Sequence, residues 1–179
     1  MVKCASKTLE PPQGIGEIHI RTSRWARHAS PGSIVLIAAL LITAMFGVFG
    51  GQPHPQRRID TPTAVIALQF PEILRNGQFF EMRAKVTAKR DFADMWLGIS
   101  TSYWHDLTIN TMIPAAAEET STNGEYQFGY GPIKAGEEIT IKFDGQINPP
   151  LFAGNKGFLT LMDGETVVAR TPIRLRVMP

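Results

Sequence analysis

Two hydrophobic patterns divide this chain. Residues 34–50 run apolar with no formal charge, no proline and one hydroxyl, inside an uncharged stretch over residues 29–56, and residues 33–51 make a span of 19. A helix of that length spans roughly 28 Å, the thickness of a bilayer's hydrocarbon core. The pattern predicts a transmembrane helix over residues 31–51. After residue 62 the grammar changes to short alternating segments. Over residues 79–89, Phe80, Met82, Ala84, Val86 and Ala88 face one way, and Glu81, Arg83, Lys85, Thr87 and Lys89 the other. A period of two marks a strand buried on one side. Further strands are predicted over residues 63–70, 94–100, 107–113, 125–130, 138–143, 158–162, 166–169 and 172–178. In the last, Ile173, Leu175 and Val177 point inward. Asp163-Gly164-Glu165 reads as a hairpin turn, and residues 115–124 as a polar loop. Roughly eight short strands predict an all-β fold, an immunoglobulin-like antiparallel β-sandwich preceded by a single transmembrane helix. The expected organisation is a basic tail over residues 1–30, largely disordered; the anchor over 31–51; a Pro-rich linker over 52–62; and the sandwich over 63–179.

Charge orients this arrangement. Residues 1–59 carry seven basic and two acidic side chains, a net of +5; residues 60–179 carry eleven and fourteen, a net of −3. Lys3, Lys7, Arg21, Arg24 and Arg27 precede the span, whereas Arg57 and Arg58 follow it. The excess of positive charge places the N-terminus in the cytoplasm and the domain in the periplasm or outside the cell. A cleaved signal peptide would have a shorter apolar region and a small-x-small cleavage site, so an uncleaved signal-anchor in the inner membrane is the preferred reading. Cys4, the sole cysteine, lies upstream of the span, which excludes a lipoprotein and any disulfide in the domain. The domain has no basic excess, which argues against nucleic acid as a partner.

A family resemblance rests on two short runs. Gly131-Pro-Ile-Lys-Ala-Gly-Glu leads into an alternating strand, and Gly157-Phe-Leu-Thr-Leu-Met162 follows a Pro/Gly-rich loop. Together with Asn76-Gly77 before the strand at 79–89, they resemble bacterial extracytoplasmic immunoglobulin-like modules. The resemblance implies an adhesive or scaffolding module on a single-pass anchor, without a disulfide, and carries over no catalytic residue.

Candidate chemistry is sparse. Only His105 of the four histidines falls in the domain, too few for a zinc site. No nucleophile elbow, phosphate-binding loop or dinucleotide fingerprint is present, so neither cofactor nor metal is expected, and the protein reads as non-enzymatic. Asp91 with Asp94, and Glu118 with Glu119, read as solvated loop charge. Tyr103, Trp104 and His105 form the sharpest local signal. Three rings in a row cannot all point inward on a strand, so they are either an exposed anchor for a partner or sugar, or a loop whose Trp104 folds back to cap the core. Trp96 alternates with Gly98 in an apolar strand and reads as structural. Arg170, Arg174 and Arg176 share an outward face, either to meet an acidic partner or to guard an edge. Ala38, Ala39, Ala44 and Gly47 are small enough to let a second helix approach the anchor. The function expected is an accessory or scaffolding subunit that binds the bilayer and another envelope protein. The alternative is a membrane-tethered module for a carbohydrate or small ligand.

Overall fold

The computed structural model describes Gln13 and residues 24–48, 56–149, 151 and 153–178. The chain divides into two units, Met1–Val48 and Phe49–Pro179. In the first, α1 (Arg24–Met45) carries Pro31 inside its span. It begins before the expected anchor at residue 31 and stops six residues before the anchor's expected end at residue 51. The stop is a Schellman turn: Val48 N–H donates to Thr43 O (3.2 Å), Gly47 N–H donates to Ala44 O (2.9 Å), and Gly47 takes φ 69°. Glycine enters this left-handed region without a Cβ penalty. Among the described residues no helix is long and apolar enough to cross a membrane. The described apolar side chains of α1, from Ile34 to Met45, cover about 18 Å of axis. They are nevertheless bare: Ile34, Val35, Leu36, Ile37, Leu40, Leu41, Ile42 and Met45 are all more than half exposed. Most of the expected tail, and residues 52–55 of the expected linker, lie outside the described residues.

The second unit holds twelve strands among the described residues: β1 (Gln56–Asp60), β2 (Ala64–Gln69), β3 (Ile73–Arg75), β4 (Phe79–Ala88), β5 (Phe92–Ser100), β6 (Leu107–Ile113), β7 (Glu118–Thr122), β8 (Glu125–Ile133), β9 (Glu138–Ile147), β10 (Lys156–Asp163), β11 (Thr166–Arg174) and β12 (Arg176–Met178). Two antiparallel five-stranded sheets have the orders β1-β2-β4-β9-β6 and β11-β10-β5-β8-β7, and β12 pairs in parallel with β3. The alternation read in β4 holds, since Phe80, Met82, Ala84, Val86 and Ala88 are all buried. They meet Ile66 and Leu68 of β2, Ile141 and Phe143 of β9, and Met95, Leu97, Ile99, Leu159 and Leu161 of the second sheet in one core.

Three expectations change. Part of the expected linker is a strand: β1 pairs residue by residue with β2, from Gln56↔Gln69 to Asp60↔Val65. Its burial is slight, so no inward apolar face announced it. The polar loop at 115–124 contains β7, which hydrogen-bonds along β8 although all five of its residues are exposed. The predicted final strand is divided: Pro172 to Arg174 continue β11, and β12 turns to β3. Ile173, Leu175 and Val177 are all buried across that break.

The aromatic run also changes character. A single helical turn, α2 (Thr101–Trp104), follows β5 and carries Tyr103 and Trp104 inward. Ser102 Oγ donates to Lys156 O at 2.9 Å, and Asn155 Nδ2 donates to Tyr103 O at 3.1 Å and to His105 O, which fastens the turn to the start of β10. Trp104 then packs on Phe143, 5.8 Å between ring centroids. The Tyr103 hydroxyl is buried with no hydrogen-bond partner among the described residues, and burial drives its pKa well up. An orphaned buried hydroxyl costs desolvation without return. Tyr103→Phe is therefore expected to leave stability unchanged or raise it by about 1 kcal/mol; a lower urea midpoint than wild type would refute this.

Candidate binding groove on the second sheet

Alternation in β5, β8 and β10 that sends Leu97, Ile99, Leu159 and Leu161 inward sends a different set outward. Trp96 and Gly98 of β5, Glu125, Gln127 and Gly129 of β8, and Thr160 and Met162 of β10 share the outer face. Trp96, Glu125, Gln127, Thr160 and Met162, with Asp94, Thr120, Thr122, Glu165 and Arg170, line an open groove of about 760 Å³. That volume lies within the range of roughly 300–1,000 Å³ typical of small-molecule sites.

Bare backbone makes the floor. A Cβ at Gly129 would come 2.9 Å from the Trp96 ring, and one at Gly98 would come 2.7 Å from Glu125 Oε2. Glycine inside a strand weakens it and often marks a place where something approaches the backbone closely. Here the indole lies over Gly129 and the Glu125 carboxylate over Gly98. Register shifts flank this spot: β5 against β8 slips between Met95 and Trp96, and β10 against β11 slips between Leu161 and Met162. Bulges bend a strand and re-aim its side chains.

The polar groups are held in place. Trp96 Nε1–H donates to Asp94 Oδ2 at 2.6 Å, and Asp94 N–H donates to Asp163 Oδ1 at 2.9 Å. Glu125, 7% exposed, accepts from Thr160 Oγ1 at 3.0 Å and pairs with Arg170 Nη2 at 3.3 Å, both through Oε1. The Arg170 guanidinium also lies 4.4 Å from the centre of the Phe158 ring. Among the described residues Gln127 Nε2 reaches only the Met162 thioether, at 3.9 Å, a weak acceptor.

The residues singled out in the sequence are scattered. Tyr103 and Trp104 are 0% and 7% exposed and belong to the core, although Trp104 also borders a hollow of about 490 Å³ with Leu107, Met112 and Tyr126. His105 is exposed and pairs with Asp106 Oδ2 at 3.0 Å. The arginines separate: Arg170 lies in the groove, whereas Arg174 and Arg176 line a hollow with Arg57, Glu72 and Ile73. There Arg57 Nη2 meets Glu72 Oε1 at 2.5 Å. Ala38, Ala39 and Ala44 are exposed on α1, and Gly47 lies beyond its end. Asp91 and Asp94 do not converge. Asp91 accepts from Ala135 N–H at 2.9 Å and pairs with Lys134, which holds its carboxyl below the usual range. Trp96, by contrast, was read as structural and sits in the groove. The available signal was the pair of strand-interior glycines, Gly98 and Gly129, at positions that alternate with apolar residues.

No family model matches this chain, and no curated protein sequence matches it. Among solved structures, similarity extends to the chitin-binding domain of the hyperthermophilic chitinase from Pyrococcus furiosus. In solution that domain aligns over 62% of this chain and 96% of its own, with 14% identity and a TM-score of 0.41. Its crystal structure aligns over 64% and 100%, with 14% identity and a TM-score of 0.39. The RrgA Jo.In complex aligns over 68% of this chain and 82% of its own, with 10% identity and a TM-score of 0.39. Likenesses at these scores establish neither relationship nor ligand.

Proposed function

We propose that this protein is a non-enzymatic binding module tethered to the inner membrane. Its N-terminus lies in the cytoplasm, and an immunoglobulin-like sandwich in the periplasm or outside the cell captures a ligand in the groove of the second sheet. The observation that carries the tether is the naked apolar surface of α1. Four successive residues, Ile34 to Ile37, sweep about 300° of the helix, and all four are more than half exposed. A helix apolar on every side belongs in a core or a bilayer, and the sequence stays uncharged from residue 29 to residue 56. The strand orders, with β2, β4 and β9 in one sheet and β5, β10 and β11 in the other, support the immunoglobulin-like plan. Capture rather than turnover is supported by two of the groove's three carboxylates. Asp94 is engaged by the indole N–H, and Glu125 by Thr160 and Arg170, so neither is poised as a free acid or base.

The test compares tagged full-length protein with a version lacking residues 1–51. Full-length protein is expected to stay in the membrane pellet through alkaline carbonate washing, with its C-terminal tag cut by protease added to spheroplasts. The shortened version is expected in the soluble fraction. Release of the full-length chain by carbonate would end the tether reading. Crosslinking from detergent-solubilised membranes examines the accessory-subunit role: a stoichiometric membrane partner that depends on residues 1–51 supports it.

A further inference from the structure

We propose that the groove takes a neutral saccharide, one sugar ring stacked by its C–H face on Trp96 and its hydroxyls bonded to the surrounding carboxylate, amide and hydroxyl groups. This rests on the reading of the groove as the ligand site and names the ligand class. The indole carries the first part of the case. Its inner face rests over Gly129, and its only polar atom is already given to Asp94. What remains for a ligand is a flat, rigid, apolar ring face. Such a face binds by stacking and dispersion rather than by hydrogen bonding.

The rim carries the second part. Thr120, Thr122, Gln127 and Thr160 supply neutral donors and acceptors around the ring. Gln127 is the most telling, because its amide is half-buried and its one partner among the described residues is a thioether. A ligand hydroxyl both donates and accepts, so it can satisfy the amide where the protein does not. Glu125 Oε2, over Gly98, is the oxygen that Thr160 and Arg170 leave unused. Carboxylate oxygens accept short, strong bonds from hydroxyl donors.

Charge selects within the class. Asp94, Glu125 and Glu165 line the groove against one cation, Arg170, a net of −2. Arg170 is itself engaged by Glu125 and Phe158. Phosphate, sulfate or uronate groups would meet repulsion there, whereas neutral hydroxyls would not. A peptide is disfavoured for a different reason. The groove lies on the face of the sheet, over β5, β8 and β10, whose backbone groups are already spent on neighbouring strands. A strand added at either edge of the sheet, β7 or β11, would lie beside the groove rather than in it.

Full-length protein in detergent would be titrated with cellohexaose, mannohexaose and chitohexaose, and with a galacturonate hexamer as the anionic control, by calorimetry. In parallel, a photo-crosslinking amino acid at position 127 would report in cells whatever occupies the groove. Binding of at least one neutral hexamer is expected, weakened tenfold or more by Trp96→Ala and several-fold by Gln127→Ala, with circular dichroism unchanged. Tyr103→Phe, in the core, should bind as wild type does. Preference for the galacturonate hexamer, lost in Trp96→Ala, would overturn the neutral class and leave the groove standing. A protein crosslinked at position 127, with no hexamer bound, would likewise overturn the saccharide alone. Hexamer binding that survives Trp96→Ala unchanged would overturn both the saccharide assignment and the groove.

Discussion

Phe143→Ala is expected to destabilise the sandwich by about 3–5 kcal/mol, the usual range for removing a fully buried aromatic ring. Phe143 is 0% exposed and sits where both sheets and α2 meet. Its ring centroid lies 5.8 Å from that of Trp104 and 5.5 Å from that of Phe128, and across the ladder it faces Met82. Truncation removes the transfer free energy of the ring, opens a cavity between two sheets that cannot collapse independently, and strips two aromatic contacts. Phe143→Leu keeps most of the volume and should cost less than half as much. Urea unfolding followed by tryptophan fluorescence measures both, with Trp104 beside the cavity as reporter. A loss under about 1 kcal/mol for the alanine variant would mean that the site repacks and is not the junction described.

Gly154→Ala is expected to cost about 3 kcal/mol or more, from backbone strain combined with overlap. Gly154 has φ 96°, and a Cβ there would fall 2.0 Å from Leu175 O and 2.8 Å from Arg176 Cα. Both neighbours are backbone, and Leu175 is fixed by a reciprocal pair of bonds with Asn155, 2.9 and 2.8 Å. Nothing there can swing aside as a flexible side chain would. Gly136 provides the internal comparison: its φ is 88°, but a Cβ would meet nothing within 4 Å. Gly136→Ala should therefore lose only the conformational cost, about 1 kcal/mol. The difference between the two variants isolates the collision, and equal losses would refute the close approach at Leu175.

Much of the fold was legible in single strands. The period-two run of β4 follows from local alternation, because half-burial imprints itself on neighbouring residues; β6 matches the expected 107–113 although none of its residues is buried. β7 and β1 left no such imprint. They are edge strands with little burial, and only the hydrogen bonds offered by β8 and β2 make them strands. The candidate site was legible only in fragments. Arg170 stands out as an outward cation, but Arg174 lies four residues further along β11 and Arg176 beyond the break in β12, so neither shares its groove. Trp96 reads as structural in the sequence because it alternates with Gly98 in an apolar run. Sequence cannot distinguish a ring packed inward from one laid on the outer face over a glycine of the neighbouring strand.

The division into an apolar uncharged stretch and a cysteine-free β domain was written in the sequence, as were the inward set of β4 and the burial of Ile173, Leu175 and Val177. Those features arise from residues close in the chain, where burial and charge write a local pattern. Tertiary structure decided which strands pair, that Tyr103 and Trp104 fill the core, and that Trp96, Gln127, Glu125 and Thr160 come together on one face. That grouping joins residues up to 64 positions apart, from Trp96 to Thr160, through the β5–β8 and β5–β10 ladders. Register between strands sets it, and register is a property of the assembled sheet.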